Sequence, residues 1–225
     1  KIGVNKVLKK LDIQPDYRIK LVGISSTLAT NTVAEEKGRK VGLLLIGYDQ
    51  ELIEKYGLEE NLPTNNIGYF KGGHNAQGVE IAPMDKDGIS EWVKTHQHEV
   101  DAVAVSSYFS PMNTDHEDAA FDIIQEHSDL PVVLAHQLST KLDSIKRAAT
   151  ATINASLVAV MHDFINSVHQ SLKDLEIKAP LMIVRGDGTL MPSEEAVRKP
   201  VETVLSGPAA SAIGGRFLAG NGSSL

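Results

Sequence analysis

Cysteine is absent from this 225-residue chain, which excludes disulfides, thiolate metal sites and cysteine nucleophiles. The absence fits a reducing compartment. No basic run stands out, and the formal net charge is −7; an acidic chain of this kind is poorly suited to nucleic acid or an anionic membrane surface. Long hydrophobic runs are missing: stretches such as Val41 to Ile46 are far too short to cross a bilayer. The first residues lack a secretory leader pattern. There is also no phosphate-loop lysine, no dinucleotide glycine fingerprint after a strand, no Gly-x-Ser-x-Gly elbow and no paired-histidine zinc helix. Together these exclusions read as a cytoplasmic protein, or a piece of one, with no nucleic-acid or membrane partner.

What is present is an ordinary globular composition, 42% hydrophobic and 23% charged, in a chain long enough for one large α/β region or two subdomains. Short, mostly continuous apolar runs at Ile19–Ser25, Lys40–Ile46, Ala102–Ser107, Val132–Ala135 and Leu181–Arg185 predict strands covered on both faces, as in a parallel sheet. Helices are expected at Ile2–Leu11, Thr27–Lys37, Asp49–Tyr56, Asp87–His98, Asp115–His127, Ser193–Arg198 and Ala209–Leu218. The strongest is Thr150–Leu175, where Ile153, Leu157, Met161, Ile165, Val168 and Leu172 recur at steps of mainly three and four. The alternation argues for βαβ crossovers in a mainly parallel sheet with flanking helices. Residues 66–85, rich in glycine, read as a hairpin insertion, and Gly220–Leu225 as a flexible tail. A parallel sheet begun and ended by helices is expected of a piece cut from a larger fold.

Five polar segments can carry chemistry. Ser25-Ser26-Thr27-Leu28-Ala29-Thr30-Asn31 joins a strand to a helix, where hydroxyls either cap backbone N–H groups or share them with an anion. Gly72-Gly73-His74 pairs backbone freedom with an imidazole, or is simply an exposed tip. Ser107–Asn113, followed by His116 and Glu117, lies beyond a strand's carboxyl end, where α/β sheets favour ligands; Asp115 is equally suited to capping the next helix. Arg185-Gly186-Asp187-Gly188-Thr189 turns just past a strand and aims Asp187 outward, where a carboxylate can orient water or a metal. Its Arg-Gly-Asp letters lack any extracellular context. Ser206-Gly207-Pro208 suits a helix start.

In their order along the chain these segments resemble the hydantoinase A and 5-oxoprolinase family, which includes an acetone carboxylase subunit. Ser26–Asn31 with Glu35, Lys37 and Gly38 is similar to that family's Thr-Thr-x-Ala-Thr-Asn…Glu-x-Lys-Gly. Asn113–Glu117 resembles Asn-Pro-x-His-Glu, with Thr114 in place of the proline. Thr150–Ala155, Asp187–Met191 and Pro200–Ala210 resemble Thr-Thr-x-x-Asn-Ala, Asp-Gly-Gly-Leu-Met and Pro-Val-x-Thr-x-Leu-Ser-Gly-Pro-Ala-Ala. The resemblance implies part of an actin-like ATPase fold whose two acidic glycine-rich phosphate loops fall outside this sequence. It also implies ATP with Mg²⁺, a small cyclic amide opened through carbonyl phosphorylation, and a B-type partner subunit. The fragment alone is expected to be inactive. By the same resemblance Ser26, Thr27, Ser206 and Gly207 help form the nucleotide cleft, and Asn31 and Asp187 stand near the chemistry. His74 and His136 are acid/base candidates. Two other functions fit the same residues: an ATP-dependent carboxylase subunit, or a non-catalytic scaffold docking a partner.

Overall fold

A computed structural model describes residues 19–35, 37–55 and 57–220. The helix expected over Ile2–Leu11 and the tail beyond Gly220 lie outside these residues. The chain forms two compact units, one from Gly38–Leu157 and one from Lys1–Lys37 together with Val158–Leu225. Where the sequence suggests one mainly parallel sheet, each unit has its own.

In the Gly38–Leu157 unit, β2 (Val41–Ile46) and β4 (Ala102–Ser107) are the central strands, and every residue of both is buried. That accounts for their unbroken apolar runs, since a strand sandwiched between helical layers has no solvent face. Parallel neighbours complete the order β3-β2-β4-β5: β3 (Asn66–Phe70) beside β2 and β5 (Val132–Leu134) beside β4. Leu44, Ile46, Val103 and Val105 join Ile89 and Val93 of α3 (Lys86–His96) and Ala120 and Ile124 of α4 (Asp115–His127) in one core. A short helix, α2 (Gln50–Lys55), follows β2. Asp85 caps α3, its side chain accepting the Gly88 N–H.

The hairpin expected over 66–85 is corrected here. Residues 66–70 are the parallel edge strand β3; only the stretch around the His74–Glu80 bridge folds back antiparallel. Gly68 reads as a break in sequence, yet it is a landing place for rings. A Cβ there would lie 2.7 Å from Phe70, and one on Gly42 would lie 2.3 Å from Trp92. These glycines admit aromatic rings rather than bend the strand.

In the other unit, β1 (Val22–Ile24) runs parallel to β6 (Leu181–Val184), which pairs antiparallel with β7 (Leu190–Pro192). Strand β7 is missed by sequence reading, because three residues ending in proline carry no strand signal. Helices α1 (Leu28–Ala34), α6 (Ser193–Arg198) and α7 (Ser206–Ala219) belong to this unit.

The long helix α5 (Ser144–Asp174) contributes Ala148, Ala151 and Ala155 to the core of one unit and Met161, Ile165 and Leu172 to that of the other. It begins six residues earlier than its apolar stripe suggests; Asp143 accepts the Lys146 N–H at that start. By length and composition α5 is apolar enough to cross a membrane, and the apolar side chains just named are buried within the protein.

Candidate functional site

Because β1 and β6 are parallel, both end at one edge of their sheet, and each runs there into a polar segment. After β1 the chain turns into α1 with the Leu28 N–H donating to Ser26 Oγ at 3.1 Å. The Thr27 hydroxyl does not cap the helix; it accepts Asn31 Nδ2 at 3.3 Å. Leu205 N–H donates to Thr30 Oγ1 at 2.9 Å, and Ser206 Oγ donates to the Ser26 carbonyl at 3.0 Å. A Cβ on Gly207 would lie 3.3 Å from Thr27 Cγ2. Five sequence candidates (Ser26, Thr27, Asn31, Ser206 and Gly207) thus form one tight polar seam, with Ser206 fully buried.

Leu205 sits in the seam at φ 63 with its side chain exposed. A left-handed leucine costs of order 1 kcal/mol and persists only where surrounding contacts demand it. Here the bond to Thr30 and the burial of the next residue supply that demand.

Asp187 stands in the β6–β7 turn at the same sheet edge. Its Oδ1 accepts Thr189 Oγ1 at 2.6 Å and the Thr189 N–H at 2.9 Å. Those bonds, side chain first, hold its carboxyl below the usual range. The turn is anchored at its sides: Gly186 N–H donates to the Glu202 carbonyl at 2.8 Å, and Arg185 Nη2 pairs with Glu202 at 2.6 Å. Gly188, at φ 85, lies against α7, where a Cβ would come within 2.4 Å of Ile213. A hollow of about 990 Å³ in this unit contains none of the sequence candidates; it is lined by Leu172, Ile177, Pro180 and Leu181, at the amino end of β6.

His74 and His136 belong to the Gly38–Leu157 unit, at the carboxyl end of its parallel sheet. There the strand order reverses: β3 lies to one side of β2, and β4 and β5 to the other. Such a switch point opens a crevice for ligands. The polar network at this edge is centred on Glu117, a fully buried carboxylate in the first turn of α4. Glu117 Oε1 accepts the Ser107 N–H at 2.9 Å; Oε2 accepts the His136 N–H at 2.9 Å and His136 Nδ1 at 2.7 Å. The bond to Glu117 raises the His136 pKa against the opposing effect of burial. Arg147, 1% exposed, donates to the Ser107 carbonyl at 3.0 Å and to the Lys141 carbonyl at 2.8 Å. The Tyr48 hydroxyl lies 2.8 Å from Ser106 Oγ and donates to the Ser144 carbonyl, and burial pushes its pKa up to about 12.

Beside this network the glycine-rich loop holds a pair of imidazoles. Gly73 N–H donates to His116 Nδ1 at 2.9 Å, which leaves Nε2 as the donor to Glu80 Oε1, also at 2.9 Å. The His74 ring lies 4.3 Å from that of His116, and its buried Nδ1 has no partner. Burial foremost, with His116 next, lowers the His74 pKa.

Sequence reasoning missed Tyr48, Glu117 as a buried anchor, and Arg147. An acidic residue in a first helical turn reads as a partner of the helix dipole, and an arginine beside Lys146 reads as surface. Asp115 is not the helix cap; Thr114 occupies that position, and the Asp115 N–H donates to Asn113 Oδ1. Among the described residues no group of three or more histidines or carboxylates is arranged to hold a metal.

Comparison with known proteins adds the following. Residues 2–128 match the model of the hydantoinase/oxoprolinase N-terminal region, and residues 147–222 match that of hydantoinase/oxoprolinase. The alpha subunit of caprolactamase from Pseudomonas jessenii is 26% identical over 203 residues, covering 83% of this chain and 29% of that protein. The crystal structure of the ATP-dependent caprolactamase from the same organism superposes with a TM-score of 0.81 at 24% identity, covering 97% of this chain and 34% of the other. A nucleotide-free acetone carboxylase structure gives 0.79 at 15% identity, covering 94% and 34%. The chain therefore spans about a third of the length of the relatives it matches, and it shares their fold.

Proposed function

This chain belongs to the hydantoinase/oxoprolinase family, and from that premise we propose that it forms part of an ATP-dependent enzyme that opens cyclic amides of the hydantoin or 5-oxoproline kind. An amide carbonyl in a stable ring is a poor electrophile. Transfer of the γ-phosphoryl group of ATP to the carbonyl oxygen, with ADP leaving, would make the carbon a better electrophile. Water would add there, the ring C–N bond would break as its nitrogen takes up a proton, and the acyl phosphate so formed would be hydrolysed to acid and phosphate. The observation that carries this reading is the seam of Ser26, Thr27, Asn31, Ser206 and Gly207 at the carboxyl edge of a sheet, beside the Asp187 turn.

The seam suits a nucleotide in a limited way. Its hydroxyls can contact phosphate oxygens, the glycine allows close approach, and neither Thr27 nor Leu205, the residues at the N-cap positions of α1 and α7, caps its helix through its side chain. The nearby cation, Arg185, is engaged with Glu202, so Mg²⁺ and the remaining positive charge come from the rest of the protein. Within this reading Asn31 and Thr27 position the reacting group, and Asp187 orients water or a metal-bound group. The enzyme works in the cytoplasm.

The test uses the full-length protein. Asn31→Ala and Asp187→Ala should each lower ATP-dependent ring opening by at least about tenfold while leaving the melting temperature near that of the parent. Unchanged rates in both variants would remove the two residues from the site.

A second reading is favoured by the exposed apolar face of α7, where Phe217 and Leu218 are 84% and 85% exposed. On that reading the segment docks a partner subunit. Glutamate substitutions at both positions should weaken co-purification of the partner without unfolding the protein.

A further inference from the structure

The Gly38–Leu157 unit contains a recess of about 310 Å³ between the glycine-rich loop and the start of α4, at the lower end of the range for small-molecule sites. His74 and His116 form part of its wall, with Glu80, Asp115 and Lys86 among its polar lining and Met84 and Ala119 among its apolar lining. The loop is shaped for this wall. Gly72, at φ 141, lets the backbone pass so close to His116 that a Cβ would lie 3.1 Å from Nδ1, and Gly73 donates to that same nitrogen. His116 is thereby held with its Nε2–H on Glu80. His74 is 1% exposed, with an unpartnered buried nitrogen.

The charges lining the recess are of both signs. A purely anionic ligand meets Glu80 and Asp115, and a purely cationic one meets Lys86. A molecule carrying an ammonium at one end and a carboxylate at the other gains at both, and an aliphatic spine can lie along Met84 and Ala119. We propose that this recess binds a small zwitterionic amino acid through Glu80 and Asp115 on its ammonium and Lys86 on its carboxylate. One further point rests on the ring-opening function proposed above. Hydrolysis of a lactam of the 5-oxoproline kind breaks the ring C–N bond, leaving water's oxygen on the acyl carbon and its protons shared between the new acid and amine, whereas a hydantoin gives an acid and a urea. The lactam product therefore carries both groups, and the recess would be a site for that product class.

The experiment is calorimetric titration of the full-length protein without ATP, so that turnover plays no part. The probes are glutamate and 6-aminohexanoate, with hexanoate and hexylamine as single-charge controls. At least one amino acid should bind about tenfold more tightly than either control. Lys86→Met should erase its advantage over the amine, and Glu80→Gln its advantage over the acid. Both side chains lie at the exposed rim, and unchanged melting temperatures would show that the variants fold. No amino-acid binding up to about 10 mM, equal binding of all four probes, or variants that bind like the parent would each overturn the assignment. Separate assays of ATP-dependent ring opening distinguish the two failures: amino-acid binding without ring opening sinks the proposed reaction alone, and ring opening without binding sinks the recess alone.

Discussion

Glu117 makes three hydrogen bonds from a fully buried position, and its weight lies in what it would leave behind. Glu117→Gln removes the charge, turns one acceptor into a donor and strands either the two His136 donors or the Ser107 N–H. Breaking such a buried pair costs roughly 3–5 kcal/mol, so the urea midpoint should drop sharply; a small change would mean that water already satisfies these donors. The two nearby histidines give opposite pH signatures. The His136 pKa is raised on folding, so its contribution is complete below the unfolded value of about 6.5 and is lost as pH rises through the folded value. The His74 pKa is lowered, so its contribution is present above the unfolded value and is lost as pH falls through the folded one. Chemical denaturation across pH should therefore show His136→Asn flattening the alkaline limb of the stability profile and His74→Gln the acid limb. Neither role was legible in the sequence, because both depend on a carboxylate or a ring brought in from another element.

Among the elements, legibility followed periodicity and length. Strand β4 and helix α4 have the limits their residue patterns predict, because Ala102–Ser107 is buried throughout and Asp115–His127 alternates at helical spacing. Strand β3 shows as a short β-like run at Ile67–Phe70, but its parallel pairing with β2 does not; the first turns of α5 were hidden by Lys146 and Arg147, whose neighbouring charges look solvated although Arg147 is buried. The polar seam was half legible. Its hydroxyls stand out in sequence, but their pairing with Leu205–Gly207 is a tertiary fact. Two substitutions test this scale. Asp85→Ala removes the α3 cap and should cost about 1 kcal/mol, measured by denaturation. Leu205→Gly relieves a left-handed leucine and should be neutral or stabilising by up to about 1 kcal/mol, whereas Leu205→Val should destabilise.

At the scale of the whole molecule, the division of labour predicts what this 225-residue chain does alone. Its polar seam offers hydroxyls and N–H groups, its nearby arginine is engaged, and no metal cluster exists among the described residues. Calorimetry on the isolated chain should find ATP binding weak, with a dissociation constant on the order of millimolar or above, and no ATP hydrolysis; stoichiometric tight binding would contradict the reading.

The Gly38–Leu157 unit is fastened where the chain enters and leaves it. Arg39 N–H donates to the Ser156 carbonyl at 3.0 Å, and Gly38 sits so close that a Cβ would come 2.8 Å from Ser156 Oγ. That clasp has a consequence for synthesis. Thr30 must find Leu205 across 175 residues of sequence, an interval that takes roughly ten to thirty seconds to translate. The intervening unit emerges as one continuous stretch able to fold first. Once folded, it exchanges a long floppy tether for a short rigid one, and the entropy lost in reuniting the outer segments shrinks accordingly.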